Sequence, residues 1–377
     1  IEKGQHLVKN SSIFILTDGQ PNIAPPKGNV KAFQNYLDRS SCKCSVNTYA
    51  FGFYDIDSEE LNKIAKLGNG TYNYIPDSSM VGTTFVNTLS NILTTFESNT
   101  ILKLSMPEGV ILDVGGYHTN HEIVESDWGC EIKLGCFHYG QEKNILITLN
   151  RDTYIEPTIG LFLNMDDIHY RGALAHTIYN REETHAEDLI KKHMFQKVRF
   201  SMLNTIKYII DTYAQYKRID DVNAISNFWK HTSPNVNKMI EQCQQSKSSD
   251  IIKYGVDMRS DYIQITEAIA ANTDAFKKWG CHYLKSLYNA HLVQECNNFK
   301  DPGVQYYGGE QFAEIRDKAD EIFCKLPAPE PTIQQPQYRG IRSPTTPSNR
   351  TRSIDMSSYY NSRSVCFGGA CLVTLKD

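Results

Sequence analysis

No apolar run in the 377 residues approaches the roughly 18 residues that carry a helix across a bilayer. The N-terminus shows no charged segment followed by an apolar stretch and a small-residue cleavage site. Membrane insertion and secretion therefore have no support in the sequence. An excess of one charge is missing too: 39 Lys and Arg against 43 Asp and Glu leave a net −4. That balance does not suit a protein that grips phosphate backbones or anionic membranes, so nucleic acid is not an expected partner. Ten cysteines are too few and too scattered for a disulfide scaffold, and reduced thiols in a cytoplasmic protein are the expected state. There is no CxxC pair and no HExxH, so a structural zinc site has no basis. GxSxG, P-loop and dinucleotide fingerprints are also missing, and a conventional enzyme is not expected.

What is present falls into segments of different texture. From Ser12 to about Phe96 strands and helices alternate. Ile13–Thr17 is a short apolar run ending in Asp18-Gly19, the pattern of a buried parallel strand entering a turn. A helix follows over Val30–Leu37, a strand over Val46–Phe53 and another over Gly70–Ile75. Ser58, followed by two acids, is the expected N-cap of the helix between them. A longer helix covers Val81–Phe96. Three strand–helix repeats imply an α/β unit with a parallel sheet.

From Ile101 to about Leu163 short alternating runs separated by Gly and Pro predict a small antiparallel β-sandwich. From Glu182 to about Leu326 the periodicity is helical. Ile190, Met194, Val198, Met202, Ile206, Ile209 and Tyr213 form one apolar stripe. Further helices are expected over Asn235–Gln245, Tyr262–Ala271, Ala275–Glu295 and Glu310–Cys324. Residues 327–364 are rich in Pro, Ser, Thr, Gln and Arg and poor in large aliphatics; they are expected to be a disordered linker.

Three groups of residues carry a family resemblance. Ile15-Leu16-Thr17-Asp18-Gly19-Gln20-Pro21 followed by Val46–Gly52 resembles the C-terminal half of a von Willebrand factor A domain. The resemblance implies that Asp18 helps hold a divalent cation, Mg2+ or another, in the intact A domain. A hard oxygen ligand at the strand-end crevice of a doubly wound sheet suits that ion. The family's DxSxS motif and threonine loop are not among these residues, so this fragment is expected to hold no cation.

Lys278-Trp279-Gly280-Cys281-His282-Tyr283-Leu284, with Cys296–Gln305 and Tyr307-Gly308-Gly309, is similar to the helical Vwaint-like region that follows the A domain in proteins ending in a Hedgehog/intein-like (Hint) domain. His282, His291 and Asp301 invite a catalytic reading. The two histidines, however, stand about 180° apart around a helix, and Asp301-Pro302-Gly303 is turn chemistry; a structural role is expected. Lastly, Cys366–Asp377 resembles the opening of a Hint (Vint-like) domain, which implies Cys366 as the catalytic nucleophile of self-cleavage in the full-length chain.

The fold class expected is multidomain α/β + β + α. A partial doubly wound von Willebrand A sheet occupies 1–98, a β-sandwich 99–181, a helical domain 182–326, the linker 327–364 and the start of the Hint β-domain 365–377. Ile1 and the strand-like run at Leu372–Asp377 read as cut ends of a longer polypeptide. The doubly wound order would make Ile13–Leu16 a central strand; without its neighbours it becomes an open edge through which the chain could oligomerise. The expected function is an interaction or scaffold protein that grips a partner's acidic group through a metal and self-cleaves before Cys366. The alternative is a purely structural or partner-binding protein with an inactive Hint domain, associated with the ubiquitin pathway.

Overall fold

The computed structural model describes residues 11–19, 21, 23–40, 44–53, 56–105, 110–112, 121–146, 149–151, 160–164, 169–170, 183–216, 222–270, 273–297, 301–327 and 372–375. The linker expected beyond Pro327 and Cys366, the nucleophile that the resemblance implies, lie outside these residues.

The first unit is β1 (Ser11–Thr17), α1 (Asn29–Leu37), β2 (Cys44–Phe51), α2 (Ser58–Leu67), β3 (Tyr72–Ile75) and α3 (Val81–Thr94). The strands are parallel in the order β1-β2-β3. β2 is buried without interruption from Ser45 to Ala50, as a strand covered on both faces must be. Buried Asn47 ties the sheet together at one end: its Nδ2 donates to Ser12 Oγ and its Oδ1 accepts from the Thr71 amide. β1 has β2 as its neighbour among the described residues, and Phe14 and Leu16 remain 38% and 50% exposed. The apolar run read as a buried strand is thus an edge here. The N-cap of α2 also differs from expectation. Asp57, not Ser58, accepts from the Glu60 amide at 3.0 Å, which frees the buried Ser58 hydroxyl for another partner.

α3 runs directly into β4 (Thr95–Ser105), which opens an antiparallel region. It continues through β5 (Val110–Leu112), β6 (Ile123–Ser126), β7 (Gly129–His138), β8 (Lys143–Leu146), β9 (Leu149–Arg151), β10 (Gly160–Asn164) and β11 (His169–Tyr170). The main sheet has the order β11-β10-β4-β7-β6, with β5–β9 as a separate pair. Leu102, Leu104, Cys130, Ile132 and Leu134 are buried at alternate positions, while Lys103 and Glu131 pair at 2.6 Å on the other face.

The helical region comprises α4 (Glu183–Tyr216), α5 (Val222–Gln244), α6 (Ser249–Ala270), a single turn α7 (Thr273–Ala275), a π-helical turn Phe276–Gly280, α8 (Cys281–Val293) and α9 (Glu310–Lys325). α5 begins well before the expected Asn235 and passes through Pro234. Proline removes one helical donor, but Ile225, Trp229, Val236, Ile240 and Cys243 make a continuous buried stripe across it, and packing outweighs the lost bond. α4 also buries Phe195, Arg199, Phe200 and Leu203; Arg199 reaches the β region, where NH2 donates to the Asn144 carbonyl at 2.6 Å, and Phe195 packs on Tyr254 of α6. Beyond these, β12 (Leu372–Leu375) pairs antiparallel with β8.

Candidate functional site

α8 occupies the centre of the molecule. Every residue from Cys281 to Leu292 is buried, the mark of a helix enclosed on all sides. Its entry is close-packed: a Cβ on Gly280 would stand 2.5 Å from the Ala268 carbonyl of α6, which explains the glycine between Trp279 and Cys281. One side of α8 meets the α/β unit. Lys285 Nζ donates to Ser58 Oγ at 3.0 Å, Asn289 Nδ2 to Asn62 Oδ1 at 2.8 Å, and the Tyr74 amide to Ser286 Oγ at 3.3 Å.

The C-terminal end of α8 meets the β region. Gln294, in the left-handed conformation at φ 55°, ends the helix, a position that favours glycine. Its side chain accounts for the exception: Oε1 accepts from the Asn144 amide at 2.8 Å and Nε2 donates to the Asn144 carbonyl at 3.0 Å. The Gln294 carbonyl accepts from Gln141 Nε2 at 2.6 Å. Next to it, Glu295 lies 3.2 Å from His138 Nε2. Burial pushes the Glu295 carboxyl up, but His138 and the buried Lys143 outweigh it and hold the group below the usual carboxylate range. Lys143 is lowered by the same burial and donates to the Leu134 and Cys136 carbonyls.

A second buried cluster lies between α6, α8 and the turn at 301–307. Asp261 and Asp301 have no exposed surface and His291 has 1%. His291 Nε2 is 3.1 Å from Asp261 Oδ2, and its Nδ1 is 2.6 Å from the Tyr307 hydroxyl. Asp261 Oδ1 accepts from the Gly303 amide at 3.3 Å, and a Cβ on Gly303 would overlap Asp261 Oδ2. The Tyr283 hydroxyl is 3.1 Å from Asp301 Oδ1 and 3.0 Å from Gln264 Oε1. Burial raises both carboxyls to about 7 and lowers His291 to about 3.

Of the residues singled out in the sequence, His291 and Asp301 are therefore brought together. His282 is not; its ring packs on Tyr74, 5.5 Å between centroids. Asp301 goes beyond turn chemistry, since its buried carboxyl faces Tyr283. Asp261, Gln264, Tyr283 and Tyr307 were not expected in a site. The signal was available for Asp261: it interrupts the stripe Ile251, Tyr254, Met258, Ile265, Ala268 at the spacing of a core residue. A lone acid on an apolar face needs a partner.

Asp18 is exposed at the C-terminal end of β1, where Thr17 Oγ1 donates to the Gly19 carbonyl at 3.0 Å. At the end of β3, Asp77 is engaged in accepting from the Ser79 amide and hydroxyl. Among the described residues no group of three or more His, Cys, Asp or Glu could hold a metal ion. The donors present at the strand end do not fit the several oxygen ligands that Mg2+ requires.

Comparison with known proteins bears on the helical region. Residues 250–321 match the family Vwaint, described as VWA / Hh protein intein-like. No curated protein matches the sequence. Among solved structures, the fold is similar to a von Willebrand factor type A protein from Catenulispora acidiphila. The identity is 14%, with 63% of this chain and 59% of that one covered and a TM-score of 0.36. It is also similar to the human COPII-coat protein Sec24c, at 11% identity, with 76% and 40% covered and a TM-score of 0.40. The chain thus spans less than two thirds of either structure. The segment from Asp250 to Glu321, which holds all of α8 and the buried Asp261–His291–Tyr307 cluster, is thus similar to the Vwaint family, described as VWA / Hh protein intein-like.

Proposed function

We propose that the chain is the interaction platform of a self-processing protein. The observation that carries this reading is α8, buried throughout and bonded at once to the α/β unit, the β region and the helices. Such a core turns three modules into one rigid support, and rigid elements are what position a binding edge. The edge in this reading is the C-terminal end of the parallel strands, where Asp18 sits and where ligands of open α/β sheets bind. With the remaining oxygen ligands supplied by the intact A domain, a divalent cation there would take an acidic group of a protein partner as its last ligand.

Self-processing rests on the resemblance at Cys366. Its thiolate attacks the carbonyl carbon of Val365; the C–S bond forms as the C–N bond breaks, and the departing nitrogen of Cys366 takes up a proton. The product is a thioester, less stable than the amide it replaces, so the site must protonate the amine and stabilise the tetrahedral oxyanion. Intact-mass spectrometry of the full-length protein, with and without a thiol nucleophile, tests this. A product ending at Val365 that disappears in Cys366→Ala is expected. No such product, or one that survives the substitution, leaves the alternative of a binding protein with an inactive Hint domain.

A further inference from the structure

We propose that β8 is a strand-accepting edge which residues 372–375 occupy while they are tethered to the rest of the chain, and which a cut between Pro327 and Leu372 uncovers. Among the described residues β8 pairs with β12 and with no strand of the five-stranded sheet. A side chain holds it beside β7 instead: Lys143 Nζ donates to the Leu134 and Cys136 carbonyls. Its other edge is closed by side chains as well. The Gln294 side chain accepts from the Asn144 backbone amide and donates to the Asn144 carbonyl, as a neighbouring strand would. Arg199 donates to the same carbonyl.

These contacts fix which way the ladder faces. The Asn144 backbone amide has one hydrogen, and Gln294 takes it. Asn144 and Thr374 are therefore a non-hydrogen-bonded pair of the antiparallel ladder. Alternation along the strand turns the backbone amides and carbonyls of Lys143 and Ile145 the other way, towards Leu375 and Val373. Each of those two pairs exchanges two bonds, so four main-chain bonds hold β12. Lys143 and Ile145 are each 1% exposed, and buried backbone groups need partners. The sequence Leu-Val-Thr-Leu of β12 suits an added strand.

Magnitude decides how firmly the strand is held. A two-stranded ladder of this length is marginal by itself. Residues 328–371, 44 in all, separate Pro327 from Leu372, and a tether raises the local concentration of its end to about 1 mM. A strand with a dissociation constant of about 0.1 mM is then about nine-tenths docked. Cut free in a solution of about 10 μM protein, it is about one-tenth docked. The edge is thus covered in the continuous chain and open in the cut one. In the self-processing reading, on which this last step rests, cleavage before Cys366 is the cut. Leu372 lies six positions beyond Cys366 and leaves with the C-terminal product.

A recognition sequence for a site-specific protease, placed between Pro344 and Thr345 of the full chain, makes the cut independently of Cys366. Hydrogen exchange followed by NMR then reads β8. In the uncut chain the Lys143 and Ile145 amides should be protected. After the cut their protection should fall by about tenfold, the Asn144 amide should hold its own, and the C-terminal fragment should separate on gel filtration. A peptide of residues 366–377 added at about 1 mM should restore the protection. Val373→Pro, which removes a donor facing Ile145, should open the edge without a cut. Thr374→Pro, at a position whose amide faces away from β8, should leave it covered. Unprotected Lys143 and Ile145 in the uncut chain, protection that survives the cut, no recovery with the peptide, or equal behaviour of the two proline variants overturns the proposal. Should Val373→Pro fail to fold, the cut decides, since it alters no residue of the ladder. A full-length protein that does not cleave itself counts against self-processing alone, because the protease cut does not depend on Cys366.

Discussion

Gln294 shows how one side chain can outweigh backbone preference. A non-glycine residue at φ 55° costs about 1–2 kcal/mol. Against this stand two side-chain bonds to the buried backbone of Asn144, worth about 0.5–1.5 kcal/mol each, and the Asn144 carbonyl keeps Arg199 as a donor when they are lost. Gln294→Gly relieves the first and loses the second, so the two nearly cancel and urea unfolding should show a loss below about 2 kcal/mol; a larger loss would mean that the Asn144 backbone depends on Gln294 alone. Asp18 leads to an opposite kind of expectation. A solitary exposed carboxylate is not an octahedral site, and calorimetry with Mg2+ on this chain should give no binding tighter than millimolar. A micromolar constant lost in Asp18→Ala would show that other ligands come together at this strand end. At this scale the sequence was partly legible. Asp18, His291 and Asp301 stand in recognisable motifs, but Asp261 and Gln294 act through neighbours far away in the chain, and spacing along the sequence carries no record of such contacts.

Among the elements, strands and helices announce themselves where one pattern governs them. The short runs Ile101–Leu104 and Glu131–Leu134 read as strands and fall in β4 and β7, and the α4 stripe predicted its helix. Elements whose burial has more than one source were harder to place. The helix expected over Asn235–Gln245 is longer: α5 starts at Val222 and passes through Pro234, and five buried apolar residues spanning the proline carry the helix through. β1 is a different case: Ile13–Leu16 is apolar enough for a central strand, and among the described residues it lies at the sheet edge, the position expected of it without further neighbours. An edge of sequence SSIFILT has no charge or proline to block pairing, and such edges self-associate. Light scattering should therefore show association that grows with concentration, reduced by Leu16→Lys. A monodisperse monomer at high concentration would mean that the edge is covered.

For the molecule as a whole, the division into an α/β unit, a β region and a helical region follows the texture of the sequence but understates their connection. Modules joined only by linkers would unfold in separate transitions. Here α8 belongs to the helical region by sequence, yet it buries Lys285, Ser286 and Asn289 against the α/β unit, and the residue after it caps against β8. Losing either neighbour would expose a helix that is apolar and polar around its whole circumference, with buried amides and an ammonium left without partners. That cost far exceeds the roughly 1 kcal/mol of one exposed surface bond. Calorimetry should accordingly give one dominant transition, with calorimetric and van't Hoff enthalpies in agreement. Lys285→Ala removes a charged donor to Ser58, worth about 1.5–3 kcal/mol; each kcal/mol moves the midpoint of a domain this large by about 2–4 °C. The variant should lower that single transition as a whole. If it instead splits the curve, with the α/β unit melting ahead of the helices, then α8 is a contact between independent domains and the rigid platform is lost as an explanation of how this chain would present a binding edge.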